Sequence, residues 1–142
     1  MKKLLLIPVL FTIISITTNA QKIAESKVPA AVKAAFQKLY PGVTAKWEKE
    51  DGKYEAGFKS GNTEMSVLIE ANGTIAETEA EIKTSELPAE ARNYVSQQYK
   101  GKTIKEAAKI TNAAGVVTYE ANVDHKDLIF DANGKFLKVM KD

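Results

Sequence analysis

The sequence predicts an α+β fold of two tandem units, each with one helix packed on one face of a four-stranded antiparallel sheet. Three observations lead to this prediction. Each half of the chain begins with apolar residues at helical spacing that follow a proline. Each half then continues with short strands in which apolar and polar residues alternate, joined by tight turns. Matching residues recur in the two halves at offsets of 59 to 65 positions, which indicates an internal repeat.

Residues 1–20 have the pattern of a secretory signal peptide. Two lysines begin it, residues 4–16 are mainly apolar, and small residues precede a cleavage point after Ala20. This apolar run is short for a bilayer core about 30 Å thick, although an uncleaved N-terminal anchor is the alternative. We therefore predict a mature chain of residues 21–142, periplasmic or secreted, with no membrane span once the signal peptide is removed.

The first unit, at about residues 26–83, begins with a helix in which Val32 and Phe36 recur at helical spacing. Four strands are predicted after it, over residues 43–50, 53–59, 63–70 and 74–81. The links between them are short hairpins, so neighbouring strands must be antiparallel. Turns are predicted at Asp51-Gly52 and Asn72-Gly73, and both residues of the second turn tolerate positive φ.

The second unit, at about residues 84–142, repeats this order. Its helix begins at Pro88 and carries Ala91 and Val95 on its apolar side. Its strands are predicted over residues 103–111, 116–123, 127–130 and 135–140. The offset between the halves changes where hairpins differ in length, and hairpin tips tolerate such changes.

Composition and charge exclude several classes of function. The chain has no cysteine and a single histidine, so thiol chemistry is impossible and a zinc site is not expected. It has 20 Lys and Arg against 18 Asp and Glu, and two of the lysines lie in the signal peptide, so the mature chain is neutral. Nucleic-acid binding needs an excess of clustered basic residues. We predict no cofactor, no metal and no nucleic-acid partner.

Several short motifs occur in the same order in both units. They are Val28-Pro29 and Leu87-Pro88, Tyr40-Pro41-Gly42 and Tyr99-Lys100-Gly101, Trp47-Glu48, Tyr54-Glu55 and Tyr119-Glu120, and Ala71-Asn72-Gly73 and Ala132-Asn133-Gly134. Over residues 26–142 this order resembles the PepSY-like family, also described as β-lactamase-inhibitor-like. The resemblance implies a periplasmic or secreted two-repeat protein with helices on one face of a curved sheet, and it implies no catalytic residue or cofactor.

We therefore predict a non-enzymatic binding module with a protein or peptide partner. Two alternatives stay open, a small envelope hydrolase that uses its carboxylates and a calcium-responsive envelope protein. Strand alternation places Leu68 and Ile129 on the face opposite the helices, and Trp47 is expected to join them. Apolar residues on a helix-free sheet face mark interaction surfaces, so these three are the predicted partner-binding residues. The alternative is that residues 21–27 cover this face.

Three glutamates alternate along one predicted strand and so share a face, at Glu77, Glu79 and Glu81. One interpretation is a row of carboxylates that binds a cation or a basic peptide. The favoured interpretation is a solvated face that protects a sheet edge with charge. No neighbouring feature of the sequence predicts the burial that separates carboxylate pKa values for acid–base catalysis, so no catalytic residue is assigned.

A second acidic group, Asp124, Asp127 and Asp131, resembles a calcium loop in composition. Its spacing differs from the twelve-residue calcium-binding pattern, and the terminal glutamate of that pattern is missing. His125 lies in the same tight turn and is predicted to be a surface residue. No metal ligand is predicted here.

Overall fold

The computed structural model describes residues 20–141, so the predicted signal peptide lies outside the described residues except for Ala20. The described chain has two α-helices, α1 (Ala30–Leu39) and α2 (Ala89–Gln98), and a short 3₁₀ helix precedes each, at Glu25–Lys27 and Thr84–Glu86. Its nine strands are β1 (Gln21–Ile23), β2 (Lys46–Glu50), β3 (Lys53–Ser60), β4 (Thr63–Ile69), β5 (Ile75–Ile82), β6 (Ile104–Asn112), β7 (Val117–Val123), β8 (Lys126–Asp131) and β9 (Phe136–Lys141).

All nine strands form one antiparallel sheet in chain order. Strands β5 and β6 pair from Glu77 opposite Asn112 to Ile82 opposite Ala107. The predicted α+β fold of two helix-plus-four-strand units is therefore wrong, because the protein is mainly β and has a single nine-stranded sheet. The sheet continues through the predicted unit boundary because β5 and β6 satisfy each other's backbone N–H and C=O groups, which two separate sheets would leave at open edges.

Strand β1 lies at one edge of this sheet. It pairs with β2, with Ile23 opposite Trp47, and Ile23 packs against the hydrophobic core. Residues 21–27 are thus used at the sheet edge and in the first 3₁₀ helix, so they do not cover the helix-free face.

The first hydrophobic core forms where α1 packs on β2, β3 and β4. Helix α1 follows Pro29 and buries Val32 and Phe36. The Phe36 ring makes edge-to-face contacts with Trp47 and Phe58, with ring centroids 5.5 and 5.2 Å apart. Such aromatic pairs stabilise a core beyond the area that they bury.

Trp47 is only 5% exposed and belongs to this core. The prediction that it joins Leu68 and Ile129 on the helix-free face is therefore wrong. The reason is the strand register. The two-residue turn at Asp51-Gly52 sets Trp47 opposite Ala56, and directly opposed residues share a face of the sheet.

The second core forms under α2, which buries Ala91 and Val95. The Tyr94 ring stacks on Phe136 with centroids 4.5 Å apart. Both helices lie on the same face of the sheet. The pairing of the middle strands shows this, because directly opposed residues share a face. Val67 lies opposite Thr78, Thr78 lies opposite Thr111, and Ala107 of the second core is four residues from Thr111 on the same strand.

Two glycine turns contact the first turns of the helices. Gly73 and Gly134 have φ values of 90° and 91°. A Cβ atom on Gly73 would lie 2.8 Å from the carbonyl oxygen of Ala31, and one on Gly134 would lie 2.8 Å from the backbone nitrogen of Ala91. Only glycine combines this backbone conformation with this close approach. In this turn Gly73 has positive φ and Asn72 does not, and Oδ1 of Asn72 accepts a hydrogen bond from the N–H of Thr74 at 2.9 Å.

Among residues 20–141, neither helix is long and apolar enough to span a membrane.

We expect Gly73→Ala to lower the free energy of unfolding by about 3 kcal/mol, because it combines left-handed strain with a clash against α1. The matched control is Gly61→Ala, since Gly61 also has positive φ but has open space around its Cβ position. That control should lose only about 1 kcal/mol. Urea unfolding measures both values, and equal losses would show that the contact with α1 contributes nothing.

We expect Trp47→Ala to lower the free energy of unfolding by about 3–5 kcal/mol, because it removes a large side chain from the core. Leu39→Ala is the control, since Leu39 is 49% exposed, and it should lose less than about 1 kcal/mol. Guanidinium unfolding followed by circular dichroism gives both numbers. An unchanged midpoint for Trp47→Ala would contradict the placement of this ring in the core.

Candidate functional site

The helix-free face of the sheet encloses a concavity of about 560 Å³. Side chains from eight strands, β2 to β9, line it. The β4–β5, β6–β7 and β8–β9 ladders each contain a register shift of the kind that bends strands. We call this surface the concave face and define it by six residues on its floor, Glu55, Leu68, Glu79, Ile110, Glu120 and Ile129.

Two of the three predicted partner-binding residues lie on the concave face. Leu68 is half-buried opposite Glu55, and Ile129 is 6% exposed opposite Glu120. The structure brings these two residues into one concavity and places Trp47 on the other side of the sheet. The partner-binding role of Leu68 and Ile129 stays a prediction.

The three glutamates of β5 also point to this side of the sheet. Glu77 lies opposite Leu68, and Glu79 lies opposite Ser66 on one side and Ile110 on the other. Strand β5 is the fifth of nine strands, so the interpretation of these residues as edge protection is wrong. Their position in the middle of the sheet leaves all three half-buried, and Glu77 and Glu79 line the concavity.

Glu79 has strongly perturbed acid–base behaviour on this face. Burial, followed by the negative charges of Glu55, Glu77 and Asp127, raises the pKa of Glu79 to about 7. Burial also raises the pKa of Glu77 and of Glu81. The interpretation that nothing here buries a carboxylate enough to separate pKa values is therefore wrong, because the curvature of the sheet supplies that burial.

The three aspartates of the calcium-like segment have separate structural roles. Asp127 is 1% exposed and accepts a hydrogen bond from Nδ2 of Asn122 at 2.8 Å. Asp124 forms an ion pair with Lys102 at 2.9 Å, and this contact lowers the pKa of Asp124. Oδ1 of Asp131 accepts hydrogen bonds from two backbone N–H groups of its own turn, each at 2.9 Å. Within the described part of the chain, no three His, Asp or Glu side chains form a group that could hold a metal ion.

His125 is exposed and forms a two-residue hairpin turn with Asp124, at φ values of 60° and 54°. This matches the surface position that the sequence predicts. Its role is to close the β7–β8 hairpin.

Three residues of this site, Glu55, Glu120 and Ile110, are not among those predicted from the sequence. Glu55 and Glu120 are 9% and 8% exposed, and Ile110 is 9% exposed. A signal for the two glutamates was available in the repeated Tyr-Glu-Ala motif. That motif places a carboxylate between two core residues, so the carboxylate must point to the helix-free face.

The sequence matches one family model in two overlapping segments, residues 14–77 and 52–138, under the description "Putative beta-lactamase-inhibitor-like, PepSY-like". The chain belongs to this PepSY-like family. The resemblance noted from the sequence motifs is thereby confirmed. No curated protein matches this PepSY-like chain.

Solved structures share the fold. A structure from Bacteroides eggerthii, described as one of "putative periplasmic proteins", has a TM-score of 0.72 at 16% identity. The match covers 80% of this chain and 88% of the Bacteroides eggerthii chain. A DUF2874 family protein from Bacteroides uniformis has a TM-score of 0.70 at 18% identity, covering 78% and 87%. A BLIP-like protein from Bacteroides fragilis has a TM-score of 0.62 at 25% identity, covering 78% and 84%.

Folding stability should decrease as pH rises from about 4.5 to about 7. The folded state holds a proton on Glu79 in this window and the unfolded state does not, because the ordinary pKa is 4.5 and the folded pKa is about 7. The destabilisation caused by ionising Glu79 is absent below the unfolded pKa of 4.5 and reaches its full value above pH 7. It amounts to about 2–3 kcal/mol, and the raised pKa values of Glu77 and Glu81 act in the same direction.

Glu79→Gln should reduce this pH dependence and stabilise the protein most near pH 8. Urea unfolding at several pH values measures it. Glu90→Gln, on the exposed side of α2, is the control and should keep the wild-type slope. A Glu79→Gln protein with the wild-type slope would contradict the proton uptake assigned to this side chain.

Proposed function

We propose that this PepSY-like protein is a non-enzymatic binding module of the cell envelope or the extracellular space, and that its concave face contacts a protein or peptide partner. The observation that carries the proposal is the concave face itself. It encloses apolar side chains, while both described helices lie on the other side of the sheet.

The apolar content of the concave face supports a binding role. A sheet face without covering elements is ordinarily polar, yet Leu68, Ile110 and Ile129 form part of this floor. Val116 and Leu137 line the same concavity and are 55% and 50% exposed. Clustered apolar side chains around a concavity are the usual anchor points for a partner.

The family and the sequence support the compartment and the absence of catalysis in this proposal. The family is described as inhibitor-like, which agrees with a role in binding. Residues 1–20 have the signal-peptide pattern, and one solved structure with this fold is described as periplasmic. We propose accordingly that the chain is cleaved after Ala20 and acts as a mature domain of residues 21–142.

The test is affinity capture from envelope extract with the mature chain, followed by mass spectrometry. Leu68→Ser combined with Leu137→Ser should weaken capture of the partner about tenfold or more, because both apolar contacts are removed. Leu39→Ser is the matched control, since Leu39 is an exposed leucine of α1 on the opposite side of the sheet. The thermal midpoint of each variant should stay within a few degrees of wild type.

The proposal fails if the double variant captures the same proteins as wild type in the same amounts. It also fails if Leu39→Ser alone abolishes capture, because the binding surface would then lie on the helical side.

A further inference from the structure

We propose that the partner of the concave face is basic, and that a lysine or arginine side chain of the partner forms an ion pair with Glu79. This inference rests on the proposed function and specifies the chemistry of the partner. Glu79 lies in the middle of the concave face, between Ser66 of β4 and Ile110 of β6. The charges of Glu55, Glu77 and Asp127, from three different strands, act on its carboxylate.

The charge of the concavity favours a cationic partner. Six carboxylates and two lysines line it, although the mature chain as a whole is neutral. One of those lysines, Lys53, forms an ion pair with Glu70 at 3.3 Å, and Glu70 is not part of the lining. The remaining lysine, Lys138, lies opposite Ile129 near the edge of the sheet. Both lysines oppose the rise in the pKa of Glu77, but six carboxylates against two lysines still make this face acidic in composition. Complementary charge favours the approach of a basic partner.

Glu79 provides an observation independent of the net charge. Its carboxylate lines the concavity, and within residues 20–141 it has no hydrogen bond and no ion pair. Glu79 is half-buried, and this partial burial together with the neighbouring negative charges makes ionisation of its carboxyl group unfavourable and raises its pKa. A guanidinium or ammonium group from a partner would replace solvent at this carboxylate with charge-assisted hydrogen bonds.

The apolar floor suits the same kind of side chain. Lysine and arginine carry a methylene stem that packs on apolar surface while the charged group reaches a polar one. Leu68 lies opposite Glu77, and Ile110 lies opposite Glu79, so apolar surface and carboxylate are adjacent on neighbouring strands. The concave face therefore offers a place for the stem as well as for the charge.

Binding of a cation and binding of a proton compete at Glu79. Because the pKa of Glu79 is about 7, its ionised fraction falls about tenfold between pH 8 and pH 6. The other acidic groups on or beside this face are Glu50, Asp51, Glu55, Glu77, Glu81, Glu120 and Asp127, and the basic ones are Lys53, Lys59 and Lys138. Affinity for a basic partner should consequently rise with pH across the neutral range.

The experiment uses the mature chain and a blocked peptide in which leucine and arginine alternate. The control peptide carries citrulline in place of arginine, which keeps the shape and removes the charge. Titrations followed by amide chemical shifts give affinity and location together. We expect the arginine peptide to shift the amides of Glu79, Ile110 and Leu68 and to bind about tenfold more tightly at pH 8 than at pH 6. The citrulline peptide should bind about tenfold more weakly at pH 8.

Glu79→Gln should weaken binding of the arginine peptide at pH 8 about tenfold and remove most of its pH dependence, whereas Glu90→Gln should change neither. Equal binding of the two peptides, or an unchanged pH dependence in Glu79→Gln, would overturn the inference. Shifts at the concave face that depend only on protein concentration would assign the face to a second copy of the chain and would also overturn it.

The two proposals can fail separately. If Glu79→Gln does not change binding of the arginine peptide but Leu68→Ser with Leu137→Ser still weakens capture, the basic partner is rejected. The concave face then remains the proposed binding surface. Capture that is insensitive to those leucine variants would reject the binding face itself.

Discussion

The backbone ladder between β5 and β6 is the constraint on which the rest of the structure depends. It joins two segments that each have a helix and a hydrophobic core, and it fixes their register relative to each other. With that register set, both helices must lie on one face of the sheet. A shift of one residue would turn every side chain of one half to the wrong face, so burial of the two cores holds the ladder in place.

The same ladder determines the chemistry of the other face. Strand β5 presents alternating side chains, so a register that turns Thr78 and Ala80 toward the helices turns Glu77 and Glu79 away from them. Curvature then encloses these carboxylates between strands β4 and β6 and raises the pKa of Glu79. Ionisation of Glu79 is therefore unfavourable for the folded protein, and the two cores offset this cost. Arrangements of this kind are common where a surface serves binding, because groups suited to a ligand are seldom those that best stabilise the fold.

The fold is shared by proteins of low sequence identity. Solved structures with 16% to 25% identity share the architecture with TM-scores of 0.62 to 0.72. Few identical residues are needed because the fold depends on general patterns. These are the alternation of apolar and polar residues in strands, the apolar stripe of each helix, and glycine turns such as Gly73, which has no room for a side chain. Function belongs to particular side chains on the fold, and in our proposal these are the side chains of the concave face.

The sequence by itself determined the local elements. The spacing of Val32 and Phe36 predicted α1, alternation and turn residues predicted the hairpins, and alternation alone placed Leu68 and Ile129 on the helix-free side. The sequence also contained the information that fixes the face of Trp47, because a two-residue turn at Asp51-Gly52 places Trp47 opposite the core residue Ala56. These features depend on residues close together in the chain, and their physical causes are local backbone preferences and the period of side-chain direction.

Only the tertiary structure decided that the two halves share one sheet and that Glu79 is enclosed. Strands β5 and β6 are separated by α2, and nothing in either strand's own pattern specifies that it pairs with the other. Sheet curvature and the burial of a carboxylate result from all nine strands acting together. They depend on contacts between distant segments, and an alternating row of glutamates has the same sequence on a solvated edge as in the middle of a concave sheet.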